Sequence, residues 1–290
     1  MHKFLLLTIA AAMLVTGPLA RAADAPSPGR PETLAYGSHP LQALDFWRAR
    51  NAGAPAPLIV FVHGGGWQRG DKQTSGNSWQ TPHFLSTGHA FASINYRLVP
   101  DATVEAQAED VAMSLRYLLD KAAQLGFDRK RVVLMGHSAG AHLSALVGTD
   151  GRYLQMAGLG LNDIAGVILL DGAAYDVPSQ MADGGFIMQR MYRTAFGTEP
   201  GRQRQLSPMS HAAAPNAPSF LILHVQREGA VKQSRQLGDA LRAAGTPAEV
   251  QGLPGEGRSG HREINVQLGD PSYPGTAIVD RWLAGLFGSR

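Results

Sequence analysis

Short, almost continuous apolar runs alternate along the chain with segments whose apolar residues recur every three or four positions. The runs PLIVFVH (57–63), RVVLMG (131–136) and SFLILHV (219–225) predict strands that are buried on both faces. Residues 104–125 carry apolar side chains at helical spacing, which predicts a helix. Strands that alternate with helices predict a mostly parallel central sheet with helices on both faces.

The same alternation predicts the remaining elements of the sheet. Further strands are predicted at 90–96, 166–172 and 248–254, and further helices at about 139–147, 233–244 and 276–286. Sheets of this kind bind ligands beyond the carboxyl ends of their strands. We therefore expect the chemistry of this chain at the residues that follow these runs.

Two segments depart from the alternation. Residues 23–55 are rich in Pro, Gly and Ala, and we expect them to wrap the surface with at most one short strand. Residues from about 176 to 218 have little strand pattern but contain the aromatic-rich stretch GGFIMQRMYRTAF. This second segment predicts a small helical insertion after the strand at 166–172, within one α/β domain over residues 56–290.

Residues 1–22 have the pattern of a secretory signal peptide. Lys3 precedes an apolar run over 4–20, and the run ends in the small-x-small cleavage site Ala-Arg-Ala at 20–22. The run is short for a membrane span. We expect cleavage near Ala22, a secreted or periplasmic protein, and no stable membrane anchor afterwards. The alternative is an uncleaved anchor helix.

Composition narrows the possible partners. The 290 residues are 44% hydrophobic and 17% charged, which is ordinary for a globular protein with a substantial core. Lys3 and Arg21 lie in the expected signal segment, so 24 basic residues face 23 acidic ones in the remainder. This balance and the scattered basic residues predict no nucleic-acid partner. The chain has no cysteine, so disulfides do not contribute to the fold.

The pentapeptide GHSAG (136–140) follows a predicted strand directly and precedes a predicted helix. In this context G-x-S-x-G places its serine on a tight strand-to-helix turn. The helix N-terminus favours a developing negative charge there. We therefore predict Ser138 as a nucleophile, with the N–H of Ala139 as one donor to the oxyanion.

The sequence HGGGW (63–67) stands at the end of an earlier strand. Glycines let the backbone approach an oxyanion closely, and an HGGG loop of this kind supplies the second half of an oxyanion hole in lipases and esterases. No Walker-type lysine follows, which disfavours a phosphate-binding loop. His63 is expected to hold the loop in shape by hydrogen bonding.

A general base has to reach Ser138 from a loop after the last core strand. The sequence GEGRSGHREIN (255–265) follows the strand at 248–254, and we predict a glycine-rich loop that carries His261 as the base. The order nucleophile, acid, histidine is that of α/β-hydrolases. His137, His142 and His224 are expected to pack.

With these motifs, residues from about 57 to 287 resemble the α/β-hydrolase fold. The similar branch is the HGGG-loop esterases, namely the hormone-sensitive-lipase-like and feruloyl-esterase-like carboxylesterases, which are related to the arylformamidases. HGGGW, NYRLVP (95–100), GHSAGAH and LILHV…QSRQLGDALRAAG are similar to landmarks of that group. The resemblance implies acyl transfer through a covalent acyl-enzyme, with neither a metal nor an organic cofactor.

Carried over by position, the resemblance implies that Ser138 is the nucleophile and His261 the base. The implied oxyanion donors are the N–H groups of Gly65, Gly66 and Ala139. Trp67, which follows the glycines, is expected to contact the substrate.

For the third catalytic residue the sequence departs from the family pattern. In the family the acid follows the penultimate core strand, where this chain reads HVQREGAVKQS (224–234) and has no aspartate. Glu228 is the only carboxylate there, so we predict that Glu228 accepts the imidazole N–H of His261. Three alternatives remain: a surface role for Glu228 with Asp171 as the acid, Asp176 as the acid, or no acid at all.

These features predict a serine carboxylesterase that hydrolyses small soluble esters, including aryl esters, through an acyl-enzyme on Ser138. Phe186, Met188, Met191, Tyr192 and Phe196 of the insertion are expected to form an apolar pocket for this small-molecule substrate. One alternative is an arylformamidase-like amidase, which the export signal disfavours because its substrate is intracellular. The other is a catalytically impaired binding protein, which the missing aspartate suggests.

Overall fold

A computed structural model describes residues 27–50, 55–183 and 186–288, without the side chains of 75–77 and 186–187. The expected signal segment, residues 1–22, lies outside the described residues. Among the helices that the structure describes, none is both long enough and apolar enough to cross a membrane.

The described residues form one eight-stranded sheet with the order β1-β2-β4-β3-β5-β6-β7-β8. The strands are β1 (Glu32–Ala35), β2 (Ala43–Trp47), β3 (Ala56–Val62), β4 (Ala90–Ile94), β5 (Phe127–His137), β6 (Gly166–Leu170), β7 (Phe220–Gln226) and β8 (Ala248–Glu256). β1 pairs antiparallel with β2, β2 pairs antiparallel with β4, and all other neighbours are parallel. The predicted mostly parallel sheet is confirmed.

Helices cover this sheet, and the described α-helices number eleven. They are α1 (Gln80–Ser86), α2 (Val104–Asp120), α3 (Ala122–Leu125), α4 (Ala139–Thr149), α5 (Arg152–Met156), α6 (Val177–Asp183), α7 (Phe186–Phe196), α8 (Pro200–Gln205), α9 (Glu228–Ala243), α10 (Gly257–Val266) and α11 (Pro274–Phe287). α6, α7 and α8 follow one another between β6 and β7, so the segment predicted as an insertion is helical.

Two hydrophobic clusters lie on opposite faces of the sheet, and β3 contributes to both. Leu58 and Val60 pack with α2, α4 and α9 on one face. Ile59 and Phe61 pack with α1, α10 and α11 on the other face. Because side chains alternate along a strand, an uninterrupted apolar run feeds both clusters at once. This explains the run PLIVFVH.

Residues 23–55 differ from the expectation of a surface segment with at most one strand. They supply both β1 and β2, and β2 is almost entirely buried. Phe46 joins one hydrophobic cluster and Trp47 the other. The stretch ALDFW is therefore an inner strand of the sheet, and of these two strands only β1 lies at an edge.

Two boundaries near the site also differ from the predictions. α9 begins at Glu228 rather than near 233, so Arg227 alone separates it from β7. The expected glycine-rich loop after β8 is helix α10, and His261 lies on that helix. Both differences change which side chains can reach the nucleophile.

Candidate active site

Ser138 stands between the end of β5 and the first turn of α4, in a left-handed backbone conformation with φ of 56°. Its N–H donates to the carbonyl of Leu170 in β6 at 3.1 Å. A Cβ on Gly136 would lie 2.2 Å from the carbonyl oxygen of Gly140. A Cβ on Gly140 would lie 2.1 Å from the carbonyl oxygen of Val62. The glycines of GHSAG are therefore required by close backbone approach.

His261 reaches the nucleophile from α10. Its Nε2 lies 3.1 Å from Ser138 Oγ, and its Nδ1 lies 2.5 Å from Asp171 Oδ2. Because a carboxylate only accepts hydrogen bonds, Nδ1–H is the donor and Nε2 accepts from the serine hydroxyl. This is the tautomer that a general base requires. The structure thus brings Ser138 and His261 together, as the sequence analysis predicted.

His137 supports the backbone of this histidine. Its Nε2–H donates to the carbonyl of His261 at 2.9 Å, and the two ring centres lie 4.5 Å apart. Burial and the neighbouring His261 lower the pKa of His137 to about 3. His137 is therefore neutral near pH 7 and acts as a fixed donor.

Asp171, the first residue after β6, is the third member of the hydrogen-bonded series Ser138, His261 and Asp171. Its side chain is fully buried, and it accepts hydrogen bonds from the Val225 N–H at 3.1 Å and from Arg227 Nε–H at 2.7 Å. Burial alone would raise the pKa of Asp171, but the hydrogen bond from His261 and the charge of Arg227 outweigh it and hold the pKa below its usual range. The carboxylate is therefore ionised when it faces His261.

The prediction that Glu228 provides this carboxylate is wrong for this geometry. Glu228 begins α9 and lines a different surface groove together with Lys232 and Arg235. Arg227 alone connects β7 to α9, and the carboxylate that contacts His261 is that of Asp171. The side chain of Arg227 extends from this connection and pairs with Asp171.

The other rival carboxylate, Asp176, has a local role. It accepts a hydrogen bond from the Ser179 N–H at 3.3 Å at the start of α6. Asp171 was the remaining candidate, and one sequence signal favoured it: it directly follows a buried strand. What the sequence did not reveal is that β6 lies beside β5, which carries the nucleophile to the same edge.

The glycine loop lies against the nucleophile. A Cβ on Gly64 would lie 3.0 Å from the Cβ of Ser138, and Gly65 and Gly66 have φ of 128° and 62°. A Cβ on Gly65 would lie 1.9 Å from the carbonyl oxygen of Arg69. Ala139 is the first residue of α4, so its N–H has no intrahelical acceptor. These positions suit Gly65, Gly66 and Ala139 as oxyanion donors, a role that remains a prediction.

Hydrogen bonds from the surrounding core fix this loop. Tyr96 Oη donates to the carbonyl of His63 at 2.8 Å, and Gln107 Nε2 donates to the carbonyl of Trp67 at 2.7 Å. His63 Nδ1–H donates to the carbonyl of Gly64 at 2.7 Å. His63 therefore has the loop-shaping position that the sequence predicted.

Trp67 packs beneath the cleft rather than projecting into it. Its exposed fraction is 1%, and its ring contacts Phe196 at a centroid distance of 4.7 Å. Trp67 Nε1–H donates to Nδ1 of His142 at 3.2 Å, and His142 Nε2–H donates to the carbonyl of Leu206. The structure leaves little surface for the expected substrate contact and makes Trp67 an anchor between the glycine loop and the insertion.

A cleft of about 1060 Å³ opens above these groups. The glycine loop, Ser138 and His261 line it from the sheet side, and Met188, Met191 and Tyr192 line it from the insertion. Three of the five residues expected to form the apolar pocket therefore line the cleft. Phe196 is instead fully buried against Trp67, and the side chain of Phe186 lies outside the described part of the chain. Gln68 Nε2 donates to the carbonyl of Met191 at 3.1 Å, which fixes α7 over the loop.

Within the described residues, no three His, Asp or Glu side chains are grouped closely enough to hold a metal ion. The polar groups of the cleft are instead arranged as a serine, a histidine and a buried carboxylate in hydrogen-bonding distance. Such a series activates a hydroxyl group as a nucleophile.

A mostly parallel sheet with a nucleophile on the turn after β5 is the arrangement of α/β-hydrolases, and this chain is a member of that class. The BD-FAE family model matches residues 44–241, which is more than half of the chain. The chain therefore belongs to the BD-FAE family. The resemblance to HGGG-loop esterases is confirmed.

Among its relatives, the esterase LipC of Mycobacterium tuberculosis is 29% identical over 219 residues, which cover 72% of this chain and 54% of LipC. The isoprenylcysteine alpha-carbonyl methylesterase ICME of Arabidopsis thaliana is 25% identical over 231 residues, which cover 75% of this chain and 54% of that protein. The chain spans about half the length of these relatives.

Solved structures share the fold. Esterase B of Lactobacillus rhamnosis has a TM-score of 0.72 and 24% identity over 91% of this chain and 88% of that chain. A truncated carbohydrate esterase from gut microbiota has a TM-score of 0.73 and 18% identity over 91% of this chain and 99% of that chain. At these identities the likeness concerns the fold alone.

Proposed function

We propose that this protein is a serine carboxylesterase that acts on small soluble esters. The observation that carries the proposal is the unbroken series Ser138 Oγ, His261 and Asp171, with distances of 3.1 Å and 2.5 Å, in a cleft faced by the glycine loop. Membership of the BD-FAE family and esterase relatives such as LipC support the same reaction.

In the proposed reaction Ser138 Oγ attacks the ester carbonyl while His261 Nε2 takes the hydroxyl proton. The N–H groups of Gly65, Gly66 and Ala139 stabilise the resulting oxyanion. His261 then gives its proton to the leaving alcohol, and an acyl-enzyme remains. A water molecule, deprotonated by His261, attacks this acyl group and releases the acid, which restores Ser138.

The contribution of Asp171 is electrostatic and geometric. It holds the Nδ1–H of His261, so the ring keeps Nε2 directed at Ser138. Its negative charge stabilises the imidazolium that forms when Nε2 takes a proton. Because burial and hydrogen bonds fix this carboxylate in advance, no reorganisation is needed during the reaction.

The substrate range follows from the insertion. α7 covers part of the cleft, but α6, α7 and α8 are too short to form a large lid over an emulsified lipid. Met188, Met191 and Tyr192 offer an apolar surface for an acyl chain or an aryl alcohol. We therefore favour small soluble esters, with aryl esters among them.

Neither alternative function gains support. The binding-protein alternative was suggested by the missing aspartate after the penultimate strand, but Asp171 provides a carboxylate to His261 in its place. The arylformamidase-like alternative rested on shared motifs, and the relatives described above are esterases.

Hydrolysis of 4-nitrophenyl acetate tests the proposal, with Ser138→Ala as the blank. A fluorophosphonate probe provides a second reading, since it labels an activated serine without any assumption about the ester. We expect turnover and labelling in the wild type and neither in Ser138→Ala. A wild type that the probe does not label would rule out an activated serine and the esterase proposal with it.

We also propose that the protein is exported and cleaved after Ala22. The support lies in the sequence of residues 1–22, with its apolar run and small-x-small end. Mass spectrometry of the protein from the periplasm or medium of an expressing bacterium should find an N-terminus at Ala23. Recovery of the full-length chain in the cytoplasm only would contradict export.

A further inference from the structure

The cleft above Ser138 is lined by three arginines, Arg69, Arg227 and Arg258. No Asp or Glu side chain is among the described residues that line it. The carboxylate of Asp171, which contacts His261, is fully buried and is already paired with Arg227. Positive charge in this cleft therefore exceeds negative charge, although the chain as a whole has a net charge of only +3.

Arg227 is fixed in place by the site itself. Its Nε–H donates to Asp171 Oδ2 at 2.7 Å, and one terminal N–H donates to the carbonyl of Asp171 at 3.2 Å. About a quarter of the side chain (28%) stays exposed, and Arg227 lines both this cleft and the neighbouring groove that contains Glu228. A planar guanidinium held on one side presents its remaining N–H groups in a fixed direction, as a carboxylate ligand requires.

Arg258 is directed to the same cleft by the helix that carries the base. Arg258, His261 and Asn265 are spaced three and four residues apart on α10, and all three line the cleft. Residues at this spacing share one face of a helix. A negative group bound by Arg258 would therefore lie about one helical turn, roughly 5 Å along the axis, from the catalytic histidine.

Arg69 and Arg258 carry charges that no neighbouring carboxylate among the described residues neutralises. Arg97, Arg152 and Arg202 each contact a carboxylate at 2.7 Å or less. Neither Arg69 nor Arg258 forms an ion pair with any residue that the structure describes. Arg262 also has no such partner in the described part of the chain, but unlike Arg69 and Arg258 it does not line the cleft.

We propose that this site selects esters that carry a carboxylate in their acyl or alcohol part. The inference rests on the proposed esterase function and adds a substrate class to it. Met188, Met191 and Tyr192 take the apolar portion of such an ester, and the three guanidinium groups take its carboxylate. The attraction also steers an anionic ester into the cleft and raises its association rate.

Two matched pairs of esters test the inference. Mono-4-nitrophenyl adipate and 4-nitrophenyl hexanoate differ in a carboxylate at the end of the same acyl chain. The acetate ester of 6-hydroxyhexanoate and hexyl acetate differ in the same way in the alcohol part. Ser138→Ala is the blank for spontaneous hydrolysis. We expect kcat/KM of the wild type to favour the anionic member of at least one pair by about tenfold, mainly through KM.

Arg258→Gln and Arg262→Gln form a matched pair of variants. Both residues are exposed arginines on α10, but Arg262 does not line the cleft. We expect Arg258→Gln to lower the ratio of anionic to neutral kcat/KM by about fivefold and Arg262→Gln to leave it within about twofold. The preference should also weaken in high salt, because the Debye length falls from about 10 Å at 0.1 M to about 3 Å at 1 M.

The outcomes separate this inference from the proposed function. Hydrolysis of both members of both pairs at equal rates would overturn the inference and leave the esterase proposal intact. Equal losses of preference in Arg258→Gln and Arg262→Gln would also overturn the inference, because the preference would then depend on the net charge of the protein and not on Arg258. If no ester is hydrolysed, calorimetry can still test the inference by measuring how tightly Ser138→Ala binds the acetate ester of 6-hydroxyhexanoate and hexyl acetate. Tighter binding of the anionic ester would support the inference, and equal affinity would overturn it.

Discussion

The buried carboxylate of Asp171 depends on the residue that lies opposite it. A lone ionised carboxylate at a fully buried position would be strongly destabilising. Here Arg227, His261 and the N–H of Val225 together satisfy it. Arg227 keeps the carboxylate ionised, and the carboxylate in turn holds the guanidinium at the edge of the cleft. One ion pair therefore connects the catalytic series with the proposed anion site.

The backbone of Ser138 is strained, so we expect that relieving the strain at this position stabilises the fold but removes the activity. A residue other than glycine at a φ of 56° costs about 1–3 kcal/mol. Ser138→Gly should raise the free energy of unfolding by about 1 kcal/mol and abolish hydrolysis. Urea denaturation measures the first effect. Ser138→Ala is the control, because it removes the hydroxyl but keeps the Cβ; equal stability of the two variants would show that the turn is not strained.

At this scale the sequence predicted some roles and missed others. Ser138 and the glycine loop are read from contiguous motifs, and His261 from its order after the last strand. The catalytic acid could not be read in this way. Its identity depends on a contact between Asp171, which follows β6, and His261 in α10, and these two residues are 90 positions apart in the chain. No local pattern distinguishes Asp171 from Glu228, and only the packing of neighbouring strand ends does.

The strand-turn-helix element around the nucleophile is held by backbone contacts that exclude side chains. Gly140→Ala would place its Cβ against the carbonyl of Val62, and we expect a loss of several kcal/mol of stability together with activity. Gly285→Ala in α11 meets no atom within 4 Å and should stabilise the protein by about 0.5–1 kcal/mol. Thermal unfolding of the two variants, measured side by side, checks both signs. A tolerated Gly140→Ala would mean that β3 and α4 can move apart.

Glycines also explain why α10 was predicted as a loop. Gly255, Gly257 and Gly260 suggest loop structure in a sequence, since glycine disfavours helices. In the structure Gly260 lies inside α10. This position requires glycine, because a Cβ there would lie 2.6 Å from the backbone of Gly255. Close packing of the helix on its own entry turn thus requires a residue that helix propensity disfavours. This packing sets the position of His261.

At the scale of the whole molecule, the sheet is complete only with the N-terminal strands. β2 pairs with β4 and covers the edge that would otherwise be exposed. The sequence predicted the six parallel strands because most of them are nearly uninterrupted apolar runs, which are a strong signal. It underestimated β1 and β2 because they are short and lie within a Pro-, Gly- and Ala-rich segment. Their strand character depends on pairing with the rest of the sheet.

Buried neutral histidines make the stability of the whole fold depend on pH. Burial lowers the pKa of His142 to about 4, against about 6.5 in an unfolded chain. Its contribution is therefore complete above about pH 6.5 and is lost as the pH falls toward 4, because only the unfolded state takes up the proton. His137 acts in the same direction.

We expect the free energy of unfolding to fall between pH 6.5 and pH 4.5 by about 1.36 kcal/mol per pH unit for each such histidine. His142→Gln should show a shallower decline over this range, whatever its stability at pH 7. Urea denaturation at a series of pH values measures both slopes. Identical slopes in the two proteins would show that His142 does not titrate with folding.

The central claim is that Asp171, and not Glu228, is the acid of the catalytic series. The most direct test is kcat for 4-nitrophenyl acetate in the wild type, Asp171→Asn and Glu228→Gln. Asparagine carries no negative charge to stabilise the imidazolium and does not hold the correct tautomer of His261. We therefore expect kcat of Asp171→Asn to fall by about 10³-fold or more. Glu228→Gln should stay within about twofold of the wild type, since Glu228 lies in a separate groove. A large loss in Glu228→Gln together with an active Asp171→Asn would contradict this account.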